Sequence, residues 1–80
     1  MRYSITAFGV VKDIVGGKQI ALESAQPLTV SELLQRLETS YPTLLSLNSV
    51  LVAVNRKYAD HNKTIQVSDE IALIPPVSGG

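Results

Sequence analysis

The chain has 80 residues, seven basic and seven acidic, with no net charge and no cysteine. That length bounds it to one domain, which buries roughly 60–65% of its unfolded surface. Balanced charge leaves no basic patch for nucleic acid, and the lack of cysteine excludes disulfides, thiolate metal sites and a cysteine nucleophile. Neither a signal peptide nor an apolar run of membrane length is evident, so no membrane association and a cytoplasmic location are expected. Hydrophobic residues make up 45% of the chain. A small domain cannot hide all of them, so some apolar surface is expected to meet a protein partner.

Arg2 to Phe8 alternates, with Tyr3, Ile5 and Ala7 on one face and Ser4, Thr6 and Phe8 on the other. This predicts a first strand with Tyr3 and Ile5 in the core. Phe8 then lies on the polar side, where it either covers a sheet edge or stands as an exposed anchor for a partner. Gly9 to Val15 predicts a short connection with one helical turn, and Gly16-Gly17 a tight turn. Lys18 to Glu23 alternates again and predicts the second strand of a hairpin, with Ile20 and Leu22 on one face.

A helix start is well marked. Thr29 and Glu32 have the spacing of a capping box, and Leu28 and Leu33 that of a hydrophobic staple. Val30, Leu33, Leu34, Leu37 and Tyr41 form one apolar stripe at helical spacing. Pro42 stops the helix by Tyr41. A helical turn is expected around Leu44-Leu45. Val50 to Val54 is a continuous apolar run and predicts a strand covered on both faces. Asn55 to Lys57 turns the chain, Thr64 to Val67 is a short strand or extended link, and Ser68-Asp69 is a turn in which Asp69 shapes the backbone.

Ile71 to Ile74 predicts the last strand, with Ile71 and Leu73 toward the core. Pro75 and Pro76 then stop it, because proline has no N–H for a ladder. Both prolines hold their predecessors extended. The root of the tail is therefore stiff, while Gly79 and Gly80 have no Cβ and fit a narrow slot. Pro75 to Gly80, at about 3.3 Å per residue, reaches roughly 20 Å. The expected organisation is a domain over residues 1–74 and an extended tail over residues 75–80.

Other chemistry is sparse. His61, the one histidine, lies in a polar loop without a cluster of further ligands around it. Asp69 and Glu70 are adjacent, so in a strand they point to opposite faces and cannot act as a carboxylate pair. Gly16-Gly17 lacks the Lys-Ser/Thr context of a phosphate loop. No resident metal is expected.

Asp69-Glu70, an apolar strand and a closing Pro-Pro-Val-Ser-Gly-Gly together resemble the small, sulfur-carrying subunit of molybdopterin synthase. Phe8 to Asp13 is similar to that family's Phe-Ala-x-x-Arg-Glu segment, with Gly9, Lys12 and Asp13 in place of the usual residues. A lysine at 12 cannot reproduce a bidentate arginine contact. Val54-Asn55 followed by Tyr58-Ala59 is also like the family. Ser68 stands where the family has glycine, so a turn needing positive φ would strain it.

The resemblance implies an α+β, ubiquitin-like β-grasp roll: a mixed sheet of four to five strands packed on one main helix. It also implies a chemistry. The Gly80 carboxylate is adenylated by a partner of the ubiquitin-activating type that uses ATP, with no cofactor bound by this chain. A persulfide donor supplies sulfur, giving a thiocarboxylate. Pro75, Pro76, Val77, Ser78 and Gly79 insert into the large subunit, where sulfur passes to a cyclic pyranopterin monophosphate during molybdenum cofactor synthesis. The catalytic residues belong to that large subunit. Phe8, Tyr58 and Ile74 are the candidate partner contacts. The alternatives are a sulfur carrier for thiamine or tRNA thiolation, a ubiquitin-like protein modifier acting through Gly80, and an interaction module with an inert tail.

Overall fold

The structure is a computed structural model that describes residues 1–47 and 50–75. Strand β1 (Arg2–Ala7) leads into helix α1 (Gly9–Val15), which returns through Gly16 to strand β2 (Gln19–Glu23). Gly16 has φ of 82°, the left-handed cap that glycine favours, and the Gly16 and Gly17 N–H groups both donate to the Lys12 carbonyl. The connection expected between the first two strands is thus a full two-turn helix. Its Val11 and Val15 are buried in the core, and Ile14 packs against it. β2 pairs antiparallel to β1 from Arg2↔Glu23 to Thr6↔Gln19.

A two-residue strand β3 (Leu28–Thr29) precedes helix α2 (Val30–Ser40). The capping box is formed as the sequence requires. The Thr29 hydroxyl accepts the Glu32 N–H, and the Glu32 carboxylate accepts the Thr29 N–H at 2.9 Å. Two further N–H groups of the first turn, at Val30 and Ser31, donate to the Lys63 and His61 carbonyls. The polar loop around His61 therefore serves the helix through its backbone. Tyr41 closes α2, and a 3₁₀ turn (Pro42–Ser46) buries Leu44.

The chain then forms β4 (Leu51–Val54), β5 (Lys57–Tyr58), β6 (Thr64–Ile65) and β7 (Ile71–Ile74). The main sheet runs β2-β1-β7-β4-β5, with β1 and β7 parallel and the other neighbours antiparallel. β3 and β6 form a separate small pair. This is a ubiquitin-like β-grasp. Tyr3, Ile5, Val52, Val54, Ile71 and Leu73 share one core with Val30, Leu33 and Leu37 of α2. Burying a side chain such as Leu33 or Ile71 contributes about 1.5–3 kcal/mol.

Two expectations are corrected here. β4 is covered on both faces except at its first residue. Val52 and Val54 enter the core and Ala53, on the opposite face, is buried as well, but Leu51, on that same outer face, remains 38% exposed. Ser68 is not strained: among the described residues, positive φ outside glycine occurs only at Asn55 and Arg56. Those two form the β4–β5 hairpin turn, whose paired left-handed residues suit the sheet's twist.

Candidate functional site

The site is built where β7 leaves the sheet. β7 lies between β1 and β4, so it is held on both sides. Its last residue, Ile74, pairs with Leu51 of β4. On the other side Ala7 pairs with Leu73, and the Phe8 N–H donates to the Leu73 carbonyl at 3.2 Å. Phe8 keeps extended backbone as the residue that opens α1. Strand alternation therefore turns Phe8 away from buried Ala7, and the parallel register carries it alongside Ile74.

The result is an apolar row, Phe8, Ile74 and Leu51, across the outer face at the strand's exit. Phe8 is 48% exposed and Ile74 half-buried. Tyr58 belongs to the same face. It pairs with Ala53, which pairs with Ala72, and both lie on the side opposite the core residues of their strands. Tyr58 is 69% exposed. Leu51 and Tyr58 also border a groove of about 420 Å³ that runs toward Leu34, Leu44, Leu45 and Leu47. The three candidate contacts named from sequence thus share one face, and Leu51 joins them. Sequence reading missed Leu51 because an unbroken apolar run carries no sign of which residue is left uncovered.

Pro75 is half-buried and directly follows β7. Pro76, Val77, Ser78, Gly79 and Gly80 lie outside the described residues.

The far end of β7 is tied down by polar contacts. Asn55 donates from its side-chain amide to Asp69 Oδ1 at 3.1 Å and accepts the Glu70 N–H at 2.9 Å. Asp69 Oδ2 accepts the Gln66 N–H at 2.8 Å. These contacts hold the Asp69 carboxyl below its ordinary range: the Gln66 N–H contributes most, then the Asn55 amide, with Lys63 adding a weaker attraction. Asp69 shapes the turn, as its position in the sequence suggests. Lys12 makes no ion pair within 4 Å among the described residues, where Arg56–Glu70 is the one found. Nor do three His, Asp or Glu side chains converge there as a metal site would need. No helix among the described residues is long and apolar enough to cross a membrane.

Architecture and exit together define a ubiquitin-like β-grasp protein with an apolar sheet face around the end of β7. The chain belongs to the ThiS family, whose model matches residues 5–80, and it is similar to molybdopterin synthase sulfur carrier subunits. The carrier subunit of Dictyostelium discoideum is 36% identical over 83 residues, covering 99% of this chain and 96% of that protein. Among solved structures, SAMP1 from Haloferax volcanii superposes with a TM-score of 0.82 at 25% identity, each chain fully covered. A chain from the complex of subunits 1 and 2 of the Helicobacter pylori molybdopterin-converting factor shares the fold, with a TM-score of 0.68 at 24% identity and full coverage of both chains.

Proposed function

We propose that this chain is the sulfur carrier subunit of a molybdopterin synthase, with the Gly80 carboxylate as the group that carries sulfur. The supporting observation is the apolar row Phe8–Ile74–Leu51 at the point where β7 releases the arm. A partner that docks on this face lies beside the arm's root, within roughly 20 Å of its tip. The family relationship supplies the partner: the relatives are named as subunits of molybdopterin synthase.

The chemistry follows from the terminal group. A carboxylate of pKa about 3.3–3.7 is ionised at neutral pH and is a poor electrophile. An activating enzyme converts it to an acyl-adenylate, releasing pyrophosphate from ATP. A persulfide then attacks the acyl carbon and AMP leaves. A second thiol attacks the donor-side sulfur of the remaining S–S bond, forming a disulfide with the donor and releasing the thiocarboxylate on Gly80. The arm inserts into the large subunit, whose residues direct the sulfur onto the cyclic pyranopterin monophosphate. This chain supplies the docking face and the reactant.

One observation favours a second reading. SAMP1, the structural neighbour at TM-score 0.82, belongs to the small archaeal modifier proteins. A modifier would use the same adenylate but pass Gly80 to a lysine amine. Loading with sulfide in the presence of the activating enzyme and ATP separates the two: a carrier gains an alkylatable thiol at Gly80, and a modifier is recovered as a lysine conjugate without one.

A further inference from the structure

The main sheet, β2-β1-β7-β4-β5, ends in two edges of different kinds. β5 is two residues long, and so short an edge offers little to pair with. β2 is five residues long, pairs one-to-one with β1 without a bulge, and contains no proline. The devices that blunt an edge are missing along it. The Ala7 N–H donates to the Lys18 carbonyl, and the Ser24 N–H to the Met1 carbonyl. These two bonds fix the phase of the ladder. Ile20 and Leu22 turn their backbone groups toward β1, and Gln19, Ala21 and Glu23 turn theirs outward. Among the described residues the one contact to those outward groups comes from Arg36, whose guanidinium donates to the Glu23 carbonyl at 3.5 Å. That oxygen keeps a second lone pair. Side chains carry the same signal. Ile20 and Leu22 face the core beside Ile5 and Tyr3 yet stay half-buried, because no further strand covers their outer flank.

We propose that β2 pairs antiparallel with β2 of a second copy of this chain, about a two-fold axis at Ala21, so that the two five-stranded sheets become one. Ala21 is the middle residue of β2. Full overlap therefore sets Ala21 against Ala21 of the other copy, Gln19 against Glu23, and Ile20 against Leu22. This register is self-complementary. Both half-buried apolar residues meet an apolar partner, in the closely spaced positions that lack hydrogen bonds. No like charges stand opposite each other. Moving the axis to Ile20 would set Leu22 against Lys18, and moving it to Leu22 would set Ile20 against Ser24. The chain carries no net charge, so two copies do not repel. β7 lies two strands in from this edge, which makes the pairing separate from the docking face and independent of the sulfur-carrier reading.

Sedimentation equilibrium of the full chain, up to about 1 mM, is expected to show a monomer–dimer equilibrium, since an interface this small is weak. On dilution the amide signals of Gln19, Ala21 and Glu23 should move more than those of the rest of the chain. Ala21→Pro removes the outward N–H at the axis, which β1 does not use. It is expected to raise the dimer Kd about tenfold or more. Ala21→Lys and Ala21→Glu keep that N–H and give the same test if proline unsettles the strand. Each alone stays monomeric, because like charges meet at the axis, and the two mixed form a heterodimer. A monomer across the whole range overturns the proposal. So does a dimer indifferent to all three substitutions, a Lys–Glu mixture that stays monomeric, or dilution shifts confined to Phe8, Leu51 and Tyr58, which would place the contact on the docking face.

Discussion

Tyr3 and Leu28 are joined by a hydrogen bond inside the core: the Leu28 N–H donates to the Tyr3 hydroxyl at 3.1 Å, and that hydroxyl lies 3.4 Å from the Ile65 carbonyl. Tyr3 has no exposed surface. Because Leu28 and Ile65 are the paired residues of β3 and β6, one hydroxyl ties the small sheet to β1. Tyr3→Phe keeps the ring and removes that tie, leaving the Leu28 N–H buried without an acceptor. A loss of about 1–3 kcal/mol is expected in denaturant unfolding. Sulfur loading of the folded variant should not change, since Tyr3 is remote in register from the exit of β7.

The two turn-forming carboxylates predict an acid limb. Glu32 is held below its ordinary value by the Thr29 N–H first and the Thr29 hydroxyl second, and Asp69 chiefly by the Gln66 N–H. A folded-state pKa below the unfolded one gives stability that is present above the unfolded value and lost as pH falls through the folded value. Melting temperature should therefore decline as pH drops below the ordinary values of 4.5 and 3.8. The Glu32→Gln, Asp69→Asn double variant should melt lower than the wild type at neutral pH and vary less across that acid window. A double variant that follows the wild-type pH curve in parallel would show that other groups carry the acid limb.

Leu51 offers a test of the docking face free of the arm's chemistry. Its side chain lies on the outer face beside Ile74, so Leu51→Lys costs the core little. Charge at the centre of an apolar contact is expected to weaken binding to a molybdopterin synthase large subunit at least tenfold, read by calorimetry. The melting temperature should move by only a few degrees. Unchanged affinity would place the docking face elsewhere.

Much of this arrangement was legible in residue types. The Thr29–Glu32 box, the apolar stripe of α2 and the proline stop after β7 are local chemistry, and each predicts its own geometry. Asp69 was legible for the same reason. Helix α1 was read as one turn because it is short, begins at a glycine and has no side-chain cap; burial of Val11 and Val15, a tertiary effect, sustains it. The β3–β6 pair has two residues on each side and depends on Tyr3, which lies far away in sequence. Leu51 was misread because exposure depends on how many layers cover a sheet, which an apolar run does not encode.

The central claim is that Gly80 carries sulfur. Its most direct test is intact mass after incubation with the activating enzyme, ATP and sulfide, followed by a thiol alkylator. Alkylation gives a clear reading because the chain has no cysteine to compete. The bare exchange of oxygen for sulfur is nearly isobaric with oxidation of Met1. The predicted result is one alkyl group per chain, absent when Gly80 is deleted and absent when one residue is added after it, with the fold intact in both variants. No alkylation of the wild type by an enzyme shown to be competent, or equal alkylation of the extended chain, would contradict the claim.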